Sequence, residues 1–116
     1  MSRRKWLAAG ALSVGLFLGA NQARAQEVTE KVLLDNEAVK VSELTFPPGF
    51  KGHAHPAPAN EMAYVLEGEF TVISVTDGKR LLKAGGVDWA PKGTVHSSRN
   101  DSAKPAKVLV ILFKER

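Results

Sequence analysis

The chain has 116 residues, 16 Lys+Arg against 12 Asp+Glu, three His and no Cys. A formal charge of +4 would suit a nucleic-acid or membrane-surface protein if it were spread over the folded surface. The absence of Cys excludes disulfide frameworks, CxxC redox motifs, thiolate zinc sites and Fe–S clusters, and 44% apolar residues is a globular composition.

The first segment carries the charge. Met1-Ser2-Arg3-Arg4-Lys5-Trp6 is basic, Leu7 to Ala20 is uncharged, and Ala23-Arg24-Ala25 is a small-x-small end. These are the three parts of a secretory signal peptide, here cleaved after Ala25. The apolar run is shorter than the roughly 20 residues a membrane span needs. Ser2-Arg3-Arg4-Lys5-Trp6-Leu7 also resembles the twin-arginine export signal, whose cargo crosses folded and can carry a metal loaded in the cytoplasm; a chance Arg-Arg in an ordinary Sec leader is the alternative. Residues 1–25 are thus expected to be a leader, and 26–116 one exported, periplasmic domain. Removing the leader takes Arg3, Arg4, Lys5 and Arg24 and no acid, so the +4 falls to about zero. No nucleic-acid partner is then expected, and no membrane partner after cleavage.

Beyond Gln26 helical periodicity is nearly absent. Short β-branched and aromatic runs broken by Gly, Pro, Asn and Asp predict strands at Lys31–Leu34, Val39–Phe46, Lys51–His55, Glu61–Leu66, Phe70–Val75, Arg80–Lys83, Val87–Ala90, Val95–Asn100 and Lys107–Phe113. Asp77-Gly78 predicts a two-residue hairpin. Gly49, Gly68, Gly85 and Gly93 fall at turns that need positive φ, with Pro91 fixing one of them. Many short strands in so small a chain predict an all-β sandwich or barrel. The run Val108-Leu109-Val110-Ile111-Leu112-Phe113 is apolar on both faces, so both must be covered, which favours a homodimer. Met62, Tyr64 and Leu66 alternate with Glu61 and point away from it, toward such an interface. Phe46, Phe50, Trp89 and Phe113 read as core, with an apolar mouth as the alternative.

The chemistry-bearing residues are few. His53 and His55 are two apart and leave one face of a strand; Glu61 begins the next strand, and His96 follows Pro91-Lys92-Gly93. If these strands share an interior, three imidazoles and a carboxylate converge, a common ligand set for a divalent transition metal. Scattered surface histidines are the alternative, which three of three in one pattern disfavour.

Gly49-x3-His53-x-His55-x5-Glu61-x6-Gly68 resembles the first motif of the cupin superfamily, with two loop spacings that differ from the commonest. Gly85-x5-Pro91-x-Gly93-x2-His96-x3-Asn100 is similar to the second motif at every fixed position. The short segment 69–84 between them is usual in small single-domain bacterial members. The resemblance, which covers about Thr45 to Asn100, implies a single-domain jelly-roll β-barrel with His53, His55, Glu61 and His96 as ligands of one divalent metal (Mn, Fe, Co, Ni, Cu or Zn). Asn100 ends a strand and makes a turn hydrogen bond, with no chemistry assigned. Beyond the ligands the chain supplies few acid or base groups. A small-molecule substrate or ligand bound at the metal is therefore expected. Dioxygen insertion into an enolic or aromatic substrate, in line with quercetinase-like small cupins, is the leading expectation; a lyase or isomerase acting on a small organic acid or sugar, and a non-catalytic metal or ligand binder, are the alternatives.

Overall fold

The computed structural model describes residues 27–115; the leader and its cleavage point lie outside the described residues. Nine strands run β1 (Thr29–Asp35), β2 (Val39–Phe46), β3 (His55–Pro56), β4 (Asn60–Glu67), β5 (Glu69–Ser74), β6 (Gly78–Lys83), β7 (Val87–Ala90), β8 (Val95–Arg99) and β9 (Ala106–Phe113). Among the described residues there is no helix. A five-stranded sheet, ordered β1-β2-β9-β4-β7, faces a four-stranded one, β3-β8-β5-β6. All pairings are antiparallel, so the expected all-β jelly roll is the observed fold.

The register sorts the interior into layers. Leu44, Val108 and Val65 form one row across the five-stranded sheet. The next row is Ser42, Val110, Ala63 and Asp88, and the next Lys40, Leu112, Glu61 and Ala90. On the opposite sheet Ser98, Val72 and Arg80 share a row, and His55, His96 and Ser74 the adjacent one. The core lies at the first level, where Phe46, Val65, Phe70 and Val108 are buried and the Phe46 ring packs on Phe70 and Phe50 at 4.8 and 5.3 Å. One level up, Ser42 and Ala63 are too small to meet the opposite sheet. Space opens there because of those residue choices, and the layer above carries the histidines.

Turn chemistry holds this stack. Gly49, Gly68, Gly85 and Gly93 all have positive φ, as does Gly78. At Gly68 a Cβ would also lie 2.5 Å from the Pro105 carbonyl oxygen, so the β4–β5 turn admits only glycine. Asn100 is fully buried. Its Nδ2 donates to the carbonyls of Phe46 and Lys104, and its Oδ1 accepts from Ser102 N and Oγ. That side chain ties the end of β2 to the loop after β8, the turn role its position suggested.

Two local expectations are corrected. Lys51–His55 is not a strand: Lys51 makes one isolated bridge to Arg99, 52–54 are irregular, and regular pairing begins only at His55. Gly52 weakens the run, and Pro56 removes an N–H from its far end. The Asp77-Gly78 hairpin closes through three residues, not two. Ser74 pairs with Gly78, residues 75–77 form the turn, and Gly78 at φ 75° opens β6, the left-handed position that three-residue loops use.

Candidate metal centre

His53, His55, Glu61 and His96 line one cavity of about 360 Å³. Each arrives from a different local structure. Glu61 stands on the inner face of β4, between Leu112 and Ala90. His96 stands on β8 directly opposite His55 of β3, with the two rings 4.8 Å apart and edge to face. His53 reaches the cavity from the irregular segment before β3, so the shared face inferred from strand alternation is not what places it there.

His55 Nδ1 lies 3.0 Å from the His53 carbonyl oxygen. A carbonyl can only accept, so Nδ1 carries the proton and Nε2 keeps its lone pair free, the arrangement that orients imidazoles as metal ligands. His96 Nε2 and Glu61 Oε1 are 3.9 Å apart, too far for a hydrogen bond. Burial pushes the Glu61 carboxyl above the usual carboxylate range, with His96 and His55 working against it. Burial likewise lowers the His96 imidazole, which Glu61 opposes and His55 reinforces. Both side chains are therefore biased to their neutral forms, as groups are when a site is built for a counter-charge it must receive.

Among the described residues, no three His, Cys, Asp or Glu side chains lie close enough together to form a metal-binding cluster as they stand. The donor set nevertheless suits a borderline divalent ion: two facing imidazoles, a carboxylate without a protein hydrogen bond and a third imidazole at the same cavity wall. His53, His55, Glu61 and His96 would hold it, and it would supply Lewis acidity or redox chemistry. A second hollow of about 330 Å³ shares Leu44, His55, Glu61 and Val110 with the first and carries Lys40 and Glu30, ion-paired at 3.4 Å.

The rest of the lining departs from expectation. Phe46 and Phe50 do line the cavity. Trp89 and Phe113 are neither core nor mouth: they pair at 5.9 Å on the outer face of the five-stranded sheet, Trp89 48% exposed. Asp88, only 8% exposed, lines the cavity and is ion-paired to Arg80 from the opposite sheet, so an acid group is present beyond the four expected donors. No local signal marked it: Asp88 faces the cavity because Ala90 pairs with Glu61 and Asp88 with Ala63, a pairing that only the fold sets.

Comparison with known proteins agrees with this architecture. The cupin-domain family model matches residues 42–112. Germin-like protein subfamily 2 member 2 of Arabidopsis thaliana is 37% identical over 82 residues, 66% of this chain and 37% of that protein, so the chain spans little more than a third of the curated relatives it matches. A cupin domain from Bordetella pertussis Tohama I superposes with a TM-score of 0.63 at 26% identity, covering 76% of this chain and 94% of that one. The cupin domain of Schizosaccharomyces pombe Cnp3 superposes at 0.70 with 20% identity, covering 78% and 66%. This chain belongs to the cupin family.

Proposed function

We propose that the mature chain, residues 26–116, is an exported cupin that holds one divalent transition metal through His53, His55, Glu61 and His96 and binds a small molecule beside it. The observation that carries this reading is the convergence of all three histidines and Glu61 on one cavity, with the His55 tautomer fixed to leave Nε2 free. The walls contributed by Leu44, Phe46, Phe50, Phe70 and Val72 suit an apolar or aromatic ligand body. Dioxygen-dependent oxidation of an enolic or aromatic substrate is the activity we favour, because the bound metal would supply the reactive centre and the chain few bases. The protein's own part is to orient the ligand against the apolar walls and exclude water.

The test is metal analysis of the exported protein, followed by oxygen uptake with flavonols, catechols and β-diketones. About one metal per chain with uptake above buffer supports the reading. Metal without turnover, with or without O₂, leaves a non-catalytic metal-binding cupin, and turnover without oxygen consumption favours lyase or isomerase chemistry. The amino terminus of the exported protein tests the leader: it begins at Gln26 if cleavage follows Ala25.

The partner we propose is a second copy of the chain. Leu34, Tyr64, Val87 and Trp89 are 39–48% exposed and the pairing register puts them beside Val41, Met62, Leu109 and Ile111 on the outer face. Together they form a contiguous apolar patch of the kind that marks a protein–protein interface.

A further inference from the structure

Asp88 lies outside the four donors, and its place in the barrel defines what the far end of a ligand meets. It occupies the row with Ser42, Val110 and Ala63, one inward-facing row below Glu61. Two residues along a strand span about 7 Å, a spacing that a single para-substituted ring fills. Arg80 reaches Asp88 Oδ1 from the opposite sheet, where it shares a row with Val72 and Ser98. The pair is neutral overall, and among the described residues Asp88 Oδ2 has no protein hydrogen bond, so it offers the cavity a charged acceptor already held in place. An anionic ligand end would meet repulsion from Asp88. A hydroxyl group would satisfy it, because O–H can donate where an ether or alkyl group cannot.

We propose that Asp88 is a specificity-determining residue, accepting a hydrogen bond from the hydroxyl of a neutral hydroxylated aromatic ligand, and that Arg80 is the residue that positions it. This rests on the cavity being the ligand site, and it does not require the metal. Val72 and Ala63 line the way from the histidine layer to Asp88 and keep it apolar, which favours a ring over a sugar.

The experiment compares 4-ethylphenol with its methyl ether 4-ethylanisole, in which a methyl group replaces the donated proton, by NMR titration of chelator-treated full-length protein. Wild type binds the phenol about tenfold more tightly, as a hydrogen bond to a charged acceptor allows. Asp88→Leu abolishes the difference, and Asp88→Asn, which keeps the shape and an acceptor but loses the charge, reduces it about threefold. Equal binding of the two probes by wild type, binding of neither, or discrimination unchanged in Asp88→Asn overturns the assignment, whether or not Asp88→Leu folds. Metal content measured on the same wild-type preparation before chelation separates the two ideas. Discrimination without metal sinks the metal reading alone, and metal without discrimination sinks this one alone.

Discussion

The inner and outer faces of the five-stranded sheet are made by the same strands and have opposite character. Inward, β2, β4 and β7 present Ser42, Ala63 and Asp88, all buried; outward they present Val41, Met62 and Trp89. A sheet in a monomeric sandwich ordinarily hides its large apolar side chains and shows its polar ones. Here the interior is kept small and polar at the level of the site, so that a cavity exists, and much of the apolar bulk is on the other side, where Tyr64, Val87 and Trp89 are 39–48% exposed. The cavity and the exposed apolar face are the two sides of one alternating pattern.

The largest expected effect breaks the inner face. His96→Ala removes one of two facing imidazoles and lowers metal affinity by more than about a hundredfold, since loss of a group that merely orients a ligand costs about 10–100-fold; elemental analysis after dialysis at fixed free metal reads it. Metal content equal to wild type would remove His96 from the site. On the outer face, Ile111→Glu puts a charge at the centre of the apolar patch and weakens self-association by at least about a hundredfold, with metal content unchanged. Sedimentation shows dimer becoming monomer, and a parent chain that sediments as a monomer would end the second-copy proposal.

A smaller effect is expected where the two sheets meet. Arg80→Ala leaves Asp88 facing the cavity without its partner. Breaking a fully buried pair costs about 3–5 kcal/mol, and because the Arg80 side chain is 36% exposed about 2 kcal/mol is expected in urea unfolding. Loss below about 0.5 kcal/mol, the level of an ordinary surface change, would make the pair a surface bridge.

The smallest effect concerns protons, in metal-stripped protein. The His96 imidazole is lowered in the fold, so the unfolded chain binds its proton more readily. Its contribution is complete above the usual imidazole range and is lost as pH falls from that range toward the lowered value. The Glu61 carboxyl is raised, so its contribution has the opposite sign: it is present at low pH and lost as pH rises from the usual carboxylate range through the raised value. Glu61→Gln should therefore stabilise the metal-free domain at neutral pH by about 1 kcal/mol, while His96→Asn flattens the acid limb. Chemical unfolding between about pH 5 and 8 separates them.

Much of this was legible in the sequence for physical reasons. Val39–Phe46 and Val87–Ala90 were bounded to the residue, because β-branched runs end at residues whose backbone cannot continue a ladder, and Gly49, Gly68, Gly85 and Gly93 marked turns that only glycine accepts without strain. The two motifs that resemble the cupin pattern drew His53, His55, Glu61 and His96 together, and all four line one cavity, although strand alternation is not what places His53. What could not be read was which side of an alternating strand is the inside. Val87 and Trp89 have the composition of a core face and Asp88 that of a solvent face; the order is reversed because Ala90 and Asp88 follow Glu61 and Ala63 across the ladder, and that pairing is tertiary. The segment 51–55 failed for the converse reason: its residue types allow extension, but no continuous partner strand runs beside 52–54.

That segment also divides the candidate site by its tethering. Glu61 and His96 ride on strands paired along their length and His55 pairs with His96, whereas His53 sits in the irregular stretch 52–54, fastened by the neighbouring Lys51 bridge and by Gly52 N to Ser98 O at 2.9 Å. A stretch held by so few bonds opens at lower free energy than the sheet behind it. Amide exchange should therefore run in two classes: fast at residues 53 and 54, by local opening, and slow at Val65 and Val108, by global unfolding. Of the four proposed donors, His53 is then the one whose backbone can move away from the cavity while Glu61, His55 and His96 stay on paired strands.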